Sequence, residues 1–301
     1  MKTKLLTGFM LALMLIVAAA CSSGSESSET VTDQKPAALV GNDFLVTITT
    51  DLGVMRAVLH DQTPKHKENF IKLAKEGFFD SLLFHRIIPQ FMIQGGDPIS
   101  KNAGPDVNLG SGGPGYTIDA EILPEFYHKK GALSAARRGG PGNPELKSSG
   151  SQFYIVQGFV QPYNQVVLNN VEAGKCLTKL RSDFPEDPLL TELNDAFQTG
   201  GQQGYFDKVV ELKDKLTEKT GIEISSPQER IDAYTTVGGY PSLDGQYTVF
   251  GQVIDGLDIL DRIAGVQTKP GDRPVEDVRM FVTVEEMPKA QIAREYGHTY
   301  L

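Results

Sequence analysis

The stretch "FHRIIPQFMIQGGDP", Phe84 to Pro98, decides how this chain is read. An arginine follows a histidine, and isoleucines, two phenylalanines, a methionine and two glutamines surround them. The pattern is strand, turn, strand, closed by Gly95 and Gly96. It holds no obvious nucleophile and no metal-ligand spacing. A cation, an amide and several apolar side chains on one hairpin suit a pocket that acts by directed hydrogen bonding.

Outward from this hairpin, short strands dominate. Phe44 to His60 alternates, with Leu45, Thr47 and Thr49 on one face and Val46 and Ile48 on the other, and turns at Asp51 to Gly53. "TPKHKENFIKLAKEG" predicts a helix with Thr63 as N-cap, Pro64 first and Gly77 just past the end; Phe70, Leu73 and Ala74 share one face. Residues 99–115 are rich in Gly, Pro and Asn and read as a long surface loop. "GYTIDAEI", "GALSAARR", "SQFYIVQG", "YTVFGQVID" and "VRMFVTVEE" read as further strands, and "GLDILDRIAGV" as a second helix. Many short strands with two helices predict a mainly β fold, a barrel or sandwich with helical plugs.

Residues 157–237 break the pattern and read as a helical insertion. Asp187-Pro188 opens a helix with Leu189, Leu190, Leu193 and Phe197 on one side, and Gly200-Gly201 ends it. Tyr205, Val209, Leu212 and Leu216 recur at helical spacing up to Gly221, and Ser226-Pro227-Gln228-Glu229 has capping-box spacing. These apolar stripes form either a small core of their own or a docking surface. The tail, residues 287–301, reads as a short helix on the main domain.

The chain has 301 residues, a net charge of −9 and a pI near 5.1, an acidic balance that argues against nucleic acid as a partner. The basic group Lys129, Lys130, Arg137 and Arg138 reads as solvated surface. Residues 1–20 carry Lys2 and Lys4, an apolar run and Ala18 to Ala20, the layout of an export signal. "VAAACSSGS" resembles a bacterial lipoprotein lipobox, with Ala18 where leucine is more usual. That resemblance implies a lipidated Cys21 and an envelope protein held to a membrane, on the periplasmic face or the cell surface. Residues 21–41, rich in Ser, Glu and Thr, read as a flexible tether. The other cysteine, Cys176, is left without an intramolecular partner and reads as a small buried hydrophobe or a reactive thiol.

The five histidines lack metal-ligand spacing, no G-x-S-x-G elbow or phosphate loop occurs, and no cofactor is called for. Rotation about a prolyl amide needs neither nucleophile nor metal. Its barrel-high barrier of ~18–20 kcal/mol comes from amide resonance, and the prolyl nitrogen regains a lone pair when the bond twists. A fixed N–H donor aimed at that nitrogen favours the twisted form over both planar forms. Arginine suits this task, and a dry apolar pocket for the ring strengthens it. Gln94 either binds the substrate carbonyl or holds the arginine.

The quoted hairpin resembles the signature of the cyclophilin-type peptidyl-prolyl isomerases. "GALSAAR" (131–137), "SSGSQFYI" (148–155) and "LDGQYTVFGQV" (243–253) match as well, in the same order. The resemblance covers residues 42–156 and 238–286, within a domain of residues 42–286. It implies an eight-stranded antiparallel barrel closed by two helices, with the groove on its outer face, binding proline-containing polypeptides. By position, Arg86 is similar to the catalytic arginine, and His85 neighbours it in the groove. Phe91, Met92, Tyr154 and Leu243 would line the proline pocket, with Tyr247 beside it. Gln94 and Gln152 would orient polar groups. Ala136 and Arg137 would lie on the strand whose backbone pairs with the peptide. Arg137 replaces a common asparagine, Tyr154 a phenylalanine, Ser242 a tryptophan of eukaryotic members and Tyr247 their histidine. The last two argue against tight binding of cyclosporin-like ligands. The alternative function is a holdase that grips proline segments with little turnover. If Cys21 is the anchor point, Cys21→Ser moves the protein from the carbonate-washed membrane pellet to the soluble fraction; a variant still in the pellet refutes lipidation there.

Overall fold

The computed structural model describes residues 39–300, so the proposed export signal, Cys21 and most of the tether lie outside the described residues. The strands are β1 (Asn42–Thr50), β2 (Gly53–Leu59), β3 (Leu82–Ile88), β4 (Met92–Gly95), β5 (Thr117–Ile118), β6 (Ala132–Ala135), β7 (Ser148–Ser149), β8 (Phe153–Val156), β9 (Val249–Asp255) and β10 (Arg279–Pro288). Eight of them close a barrel in the order β1-β10-β3-β4-β8-β6-β9-β2, with every neighbouring pair antiparallel. Closure pairs the two ends of the domain: β1 runs against β10 from Asn42↔Pro288 to Thr49↔Phe281. The barrel thus extends two residues past the boundary at 286 expected from sequence.

Alternation decides what faces inward. Val46 and Ile48 enter the barrel core, whereas Leu45 packs on the outside with Val58, Met287 and Ile292. Ile292 comes from α8 (Lys289–Tyr296), the helix of the tail. Two more helices plug the barrel. The α1 helix (Pro64–Lys75) contributes Phe70, Leu73 and Ala74, and α7 (Leu257–Ala264) contributes Ile259, Leu260, Ile263 and Ala264. Phe70 sits 4.8 Å from the Phe79 ring and 5.4 Å from that of Phe153, the latter edge-on.

Two local expectations are corrected. "GYTIDAEI" forms no barrel strand; only β5 is extended there, and it pairs with β7 in a separate ribbon. Thr63 holds the N-cap position of α1, but its hydroxyl donates to the His60 carbonyl and caps nothing. Glu121, 55 residues away from His66, supplies the cap. Its carboxylate accepts the backbone N–H groups of Lys65 and His66, each at 3.0 Å, and lies 2.6 Å from His66 Nδ1. A remote carboxylate thereby satisfies two orphan donors at the positive end of the helix.

Between β8 and β9 lie α2 (Tyr163–Val166), α3 (Asn170–Asp183), α4 (Pro188–Glu211), α5 (Lys213–Thr220) and α6 (Gln228–Asp232). They build their own core from Cys176, Leu180, Leu193, Leu212, Leu216, Ile224 and Tyr234, among others. The Cys176 thiol is buried against the Thr220 hydroxyl at 3.2 Å. Asp187 caps α4 by accepting the Leu189 N–H, and Gly201, at φ 61° and ψ −150°, breaks that helix near its middle. Phe197 departs from its expected stripe and is exposed. The capping box at Ser226 does not form: Pro227 stands at the N-cap, and the Ser226 hydroxyl accepts from Arg230 instead.

Removing the remote cap has a defined cost. Glu121→Ala should lower the unfolding free energy by about 1–2 kcal/mol, read from urea midpoints at constant slope, because helix caps and charge at a helix N-terminus are each worth that order. An unchanged midpoint would show that water replaces Glu121 without loss.

Candidate active site

The β3–β4 hairpin carries a bulge. Phe84 faces Gly95 and Arg86 faces Gln94, so two residues of β3 are spent against one step of β4. Phe84 and Ile87 can then both enter the core, which sends His85 and Arg86 to the outer face. Arg86 is held there by two contacts. Its Nε lies 3.4 Å from Asp272 Oδ2, and its Nη1 donates to Gln94 Oε1 at 3.3 Å. Gln94 donates in turn to Gln152 Oε1 at 3.1 Å, and Gln152 donates to the Gly112 carbonyl at 2.7 Å. Gln94 therefore holds the arginine in place. The Arg86 side chain remains 40% exposed, so it is both oriented and reachable.

The far end of this chain is anchored by Asp97. Its buried carboxylate accepts backbone N–H groups of Ile99, Gly110 and Gly112 and fixes the loop expected to be open surface. Gly96 precedes it at φ 87°, against Ser151, where any Cβ would collide with the carbonyl oxygen.

Phe91, Met92, Ala136, Tyr154, Leu243 and Tyr247 meet in one apolar cluster on the outer face, joined by Phe126, Val249 and Tyr240. Tyr154 and Tyr247 pack edge to face at 5.9 Å, and the Phe91 ring lies 4.4 Å from that of Tyr240. Gln94, Ala136, Arg137 and Gln152 line a neighbouring cavity of about 820 Å³. The structure thus brings all the expected groove residues together except one.

The exception is His85. It is 4% exposed, lies under the Gly110 backbone rather than open to the groove, and neither ring nitrogen has a hydrogen-bond partner. The bulge puts it on Arg86's side, but the 97–112 loop covers it. The strand assignment of Ala136 and Arg137 is corrected too, since β6 stops at Ala135. Ala136 donates to the Gln152 carbonyl and accepts from Ser149, so its backbone is already paired. Arg137 does more than present main chain: its guanidinium lies 4.4 Å over the Tyr247 ring and donates to the Gln246 carbonyl.

A buried polar network was missed in the sequence. The Asp244 carboxylate accepts the His128 backbone N–H at 2.9 Å, the Tyr234 hydroxyl at 2.7 Å and Arg230 Nε at 2.9 Å, with His128 Nδ1 3.1 Å away. The opposite ring nitrogen, Nε2, is 3.0 Å from the Tyr154 hydroxyl. Burial alone would raise the Asp244 carboxyl, but the bonds from His128 and Tyr234 outweigh it and hold the pKa below its usual value. Burial raises the Tyr154 phenol well above its usual value. The available signal was Tyr154 itself, because a tyrosine replacing phenylalanine in a closed pocket needs a partner for its hydroxyl.

With the geometry in hand, the chain can be placed among known proteins. Residues 45–181 and 226–284 match the cyclophilin type peptidyl-prolyl cis-trans isomerase/CLD family. A "Putative peptidyl-prolyl cis-trans isomerase" of Staphylococcus saprophyticus is 32% identical over 239 residues, 79% of this chain and 89% of that protein. One from Staphylococcus aureus is 34% identical over 224 residues, 74% of this chain and 82% of that protein. A "Putative bifunctional phosphatase/peptidyl-prolyl cis-trans isomerase" of Streptococcus pyogenes is 35% identical over 243 residues; these cover 80% of this chain and 38% of that longer protein. Among solved structures, a Cryptosporidium parvum cyclophilin type isomerase aligns with 82% of this chain and 100% of its own, at 20% identity and a TM-score of 0.47. The chain belongs to the cyclophilin-type peptidyl-prolyl cis-trans isomerase family.

Burial of His85 sets a pH dependence. Desolvation pushes its pKa down to about 4, against the opposing charge of Asp97. The unfolded chain takes up this proton near pH 6.5, whereas the folded one refuses it until about pH 4. Stability from this residue is therefore whole above pH 6.5 and is lost as the pH falls through that window, by up to about 3 kcal/mol. His60, also held at about 4 chiefly by burial, adds to the slope. In urea unfolding between pH 7 and pH 5, His85→Leu should lose less stability than the parent chain; parallel pH slopes would contradict this.

Proposed function

We propose that this protein accelerates rotation about X–Pro bonds, with Arg86 donating a hydrogen bond to the prolyl nitrogen in the twisted transition state. One observation carries the reading: a guanidinium is fixed by Asp272 and Gln94, still open to solvent, beside an apolar cluster that contains Phe91, Met92 and Tyr154. The proline ring would sit on that cluster. There the donor meets a lone pair that neither planar isomer offers, so the interaction favours the transition state alone. Fixing the donor beforehand avoids reorganisation during the rotation. Gln152 would share its amide between the peptide and Gln94, and the unpaired backbone of Arg137 would bond the bound chain.

The substrates we propose are proline-containing segments of exported proteins, met at a bacterial membrane to which Cys21 anchors the chain. Support for the location is the sequence of residues 1–41. Among the described residues, no helix is long and apolar enough to cross a membrane.

Arg86→Ala should lower kcat/KM for a proline tetrapeptide by about 10²–10³-fold, the usual cost of removing a donor aimed at the transition state. Two-dimensional exchange NMR at equal protein concentration measures it. Peptide affinity should change far less. Equal exchange rates for the parent and the variant would end the proposal.

A further inference from the structure

A second cleft, about 460 Å³ in volume, opens where the inserted helices meet the barrel. Its walls come from the segment after β8, from α2, α3 and α4, and from Tyr240 to Ser242 before β9. Of its ten lining side chains five are carboxamides, including Gln165, Asn170 and Gln203, and three are aromatic: Phe159, Phe206 and Tyr240. None is charged, although 22% of the chain is. The 820 Å³ cavity differs, with Arg137, Arg138, Glu145 and Lys147 in its wall.

The two spaces adjoin different edges of the apolar cluster. The charged cavity is reached past Gln94 and Gln152. The neutral cleft is reached past Tyr240, whose ring packs on Phe91, and past Ser242, next to Leu243. A polypeptide with its proline on the cluster must continue in both directions. Phe159, Val160 and Tyr163, where the chain enters the insertion, are exposed apolar groups.

We infer that this cleft is a subsite for one flank of the bound polypeptide, taking an extended segment of uncharged residues. The inference rests on the proposed use of the apolar cluster as a proline pocket. Gln161 already donates to the Phe159 and Gly239 carbonyls and Gln203 to Asp207, but Asn164, Gln165 and Asn170 each offer both donor and acceptor and can pair with main chain whatever side chain the client carries. The aromatic rings add contact with apolar side chains. With no charge in the walls, affinity from the cleft depends little on salt.

The double variant Gln165→Glu, Asn170→Asp tests it. Both residues are exposed, the changes are nearly isosteric, and an acid early in α3 suits that helix. Fluorescence anisotropy compares a proline tetrapeptide with two twelve-residue peptides, each extended by Ser, Gln, Val and Phe on one side of the proline. One long peptide, and only one, should bind the parent protein about 10-fold more tightly than the tetrapeptide. The double variant should lose that gain while exchanging the tetrapeptide at the parent's rate. Equal affinities for all three peptides, a gain from both extensions, or a gain that survives in the variant would overturn the subsite. A length effect on binding without any tetrapeptide exchange would overturn the isomerase reading and leave the cleft standing.

Discussion

The Asp244 carboxylate is where three parts of the molecule are tied. Arg230 and Tyr234 reach it from the inserted helices, and His128 reaches it from the chain before β6. Through the His128 ring, its charge is coupled to the Tyr154 hydroxyl inside the apolar cluster. A buried carboxylate is costly unless its oxygens are filled, and here both are. The insertion is thus bonded to the pocket through a polar junction with directional requirements. That geometry limits where Tyr240 and Leu243, on the same segment, can place their rings and methyls. A junction built only of apolar contacts would hold them less specifically.

A backbone irregularity sets up the other side of the site. Without the bulge at His85, strict alternation would place Phe84 and Arg86 on the same face. The extra residue keeps phenylalanine in the core and sends arginine outward. His85 bears the consequence, as a buried ring with neither nitrogen bonded. A chain of amides then runs from Arg86 through Gln94 and Gln152 to the loop that Asp97 pins. The guanidinium is held at the end of a relay whose other end is three backbone N–H groups on one carboxylate.

Much of this could be read from residues in order. Alternation revealed the barrel strands of Phe44 to Leu59 and the Arg86 hairpin, because half-buried antiparallel strands print their two faces into the sequence. Helical spacing revealed α1, α7 and the leucine-bearing half of α4 for the same reason. The similarity of four segments to a family identified the cluster that periodicity alone would have left as core. Long-range partners stayed hidden. The cap on α1 comes from Glu121 and the partner of Tyr154 from His128, and no local pattern records either pairing. "GYTIDAEI" looked like a strand because alternation is necessary for one but not sufficient; no barrel edge was left for it to join. His85 was placed in the groove by adjacency to Arg86, and only the loop fold above it shows otherwise.

Closing the barrel through β1 and β10 brings its first and last strands side by side, with Asn42 opposite Pro288 and α8 following directly on the outer face. The order of strands around the barrel is then indifferent to where the polypeptide starts. Leading the chain from the end of α8 back to β1 through a linker and cutting instead at Gly201, where the helix is already interrupted, would yield a circular permutant with the same eight-strand circuit. Evolution and engineering alike gain a freedom from that adjacency: a fusion partner can be hung from the inserted helices, far along the chain from both β1 and β10, without opening the sheet.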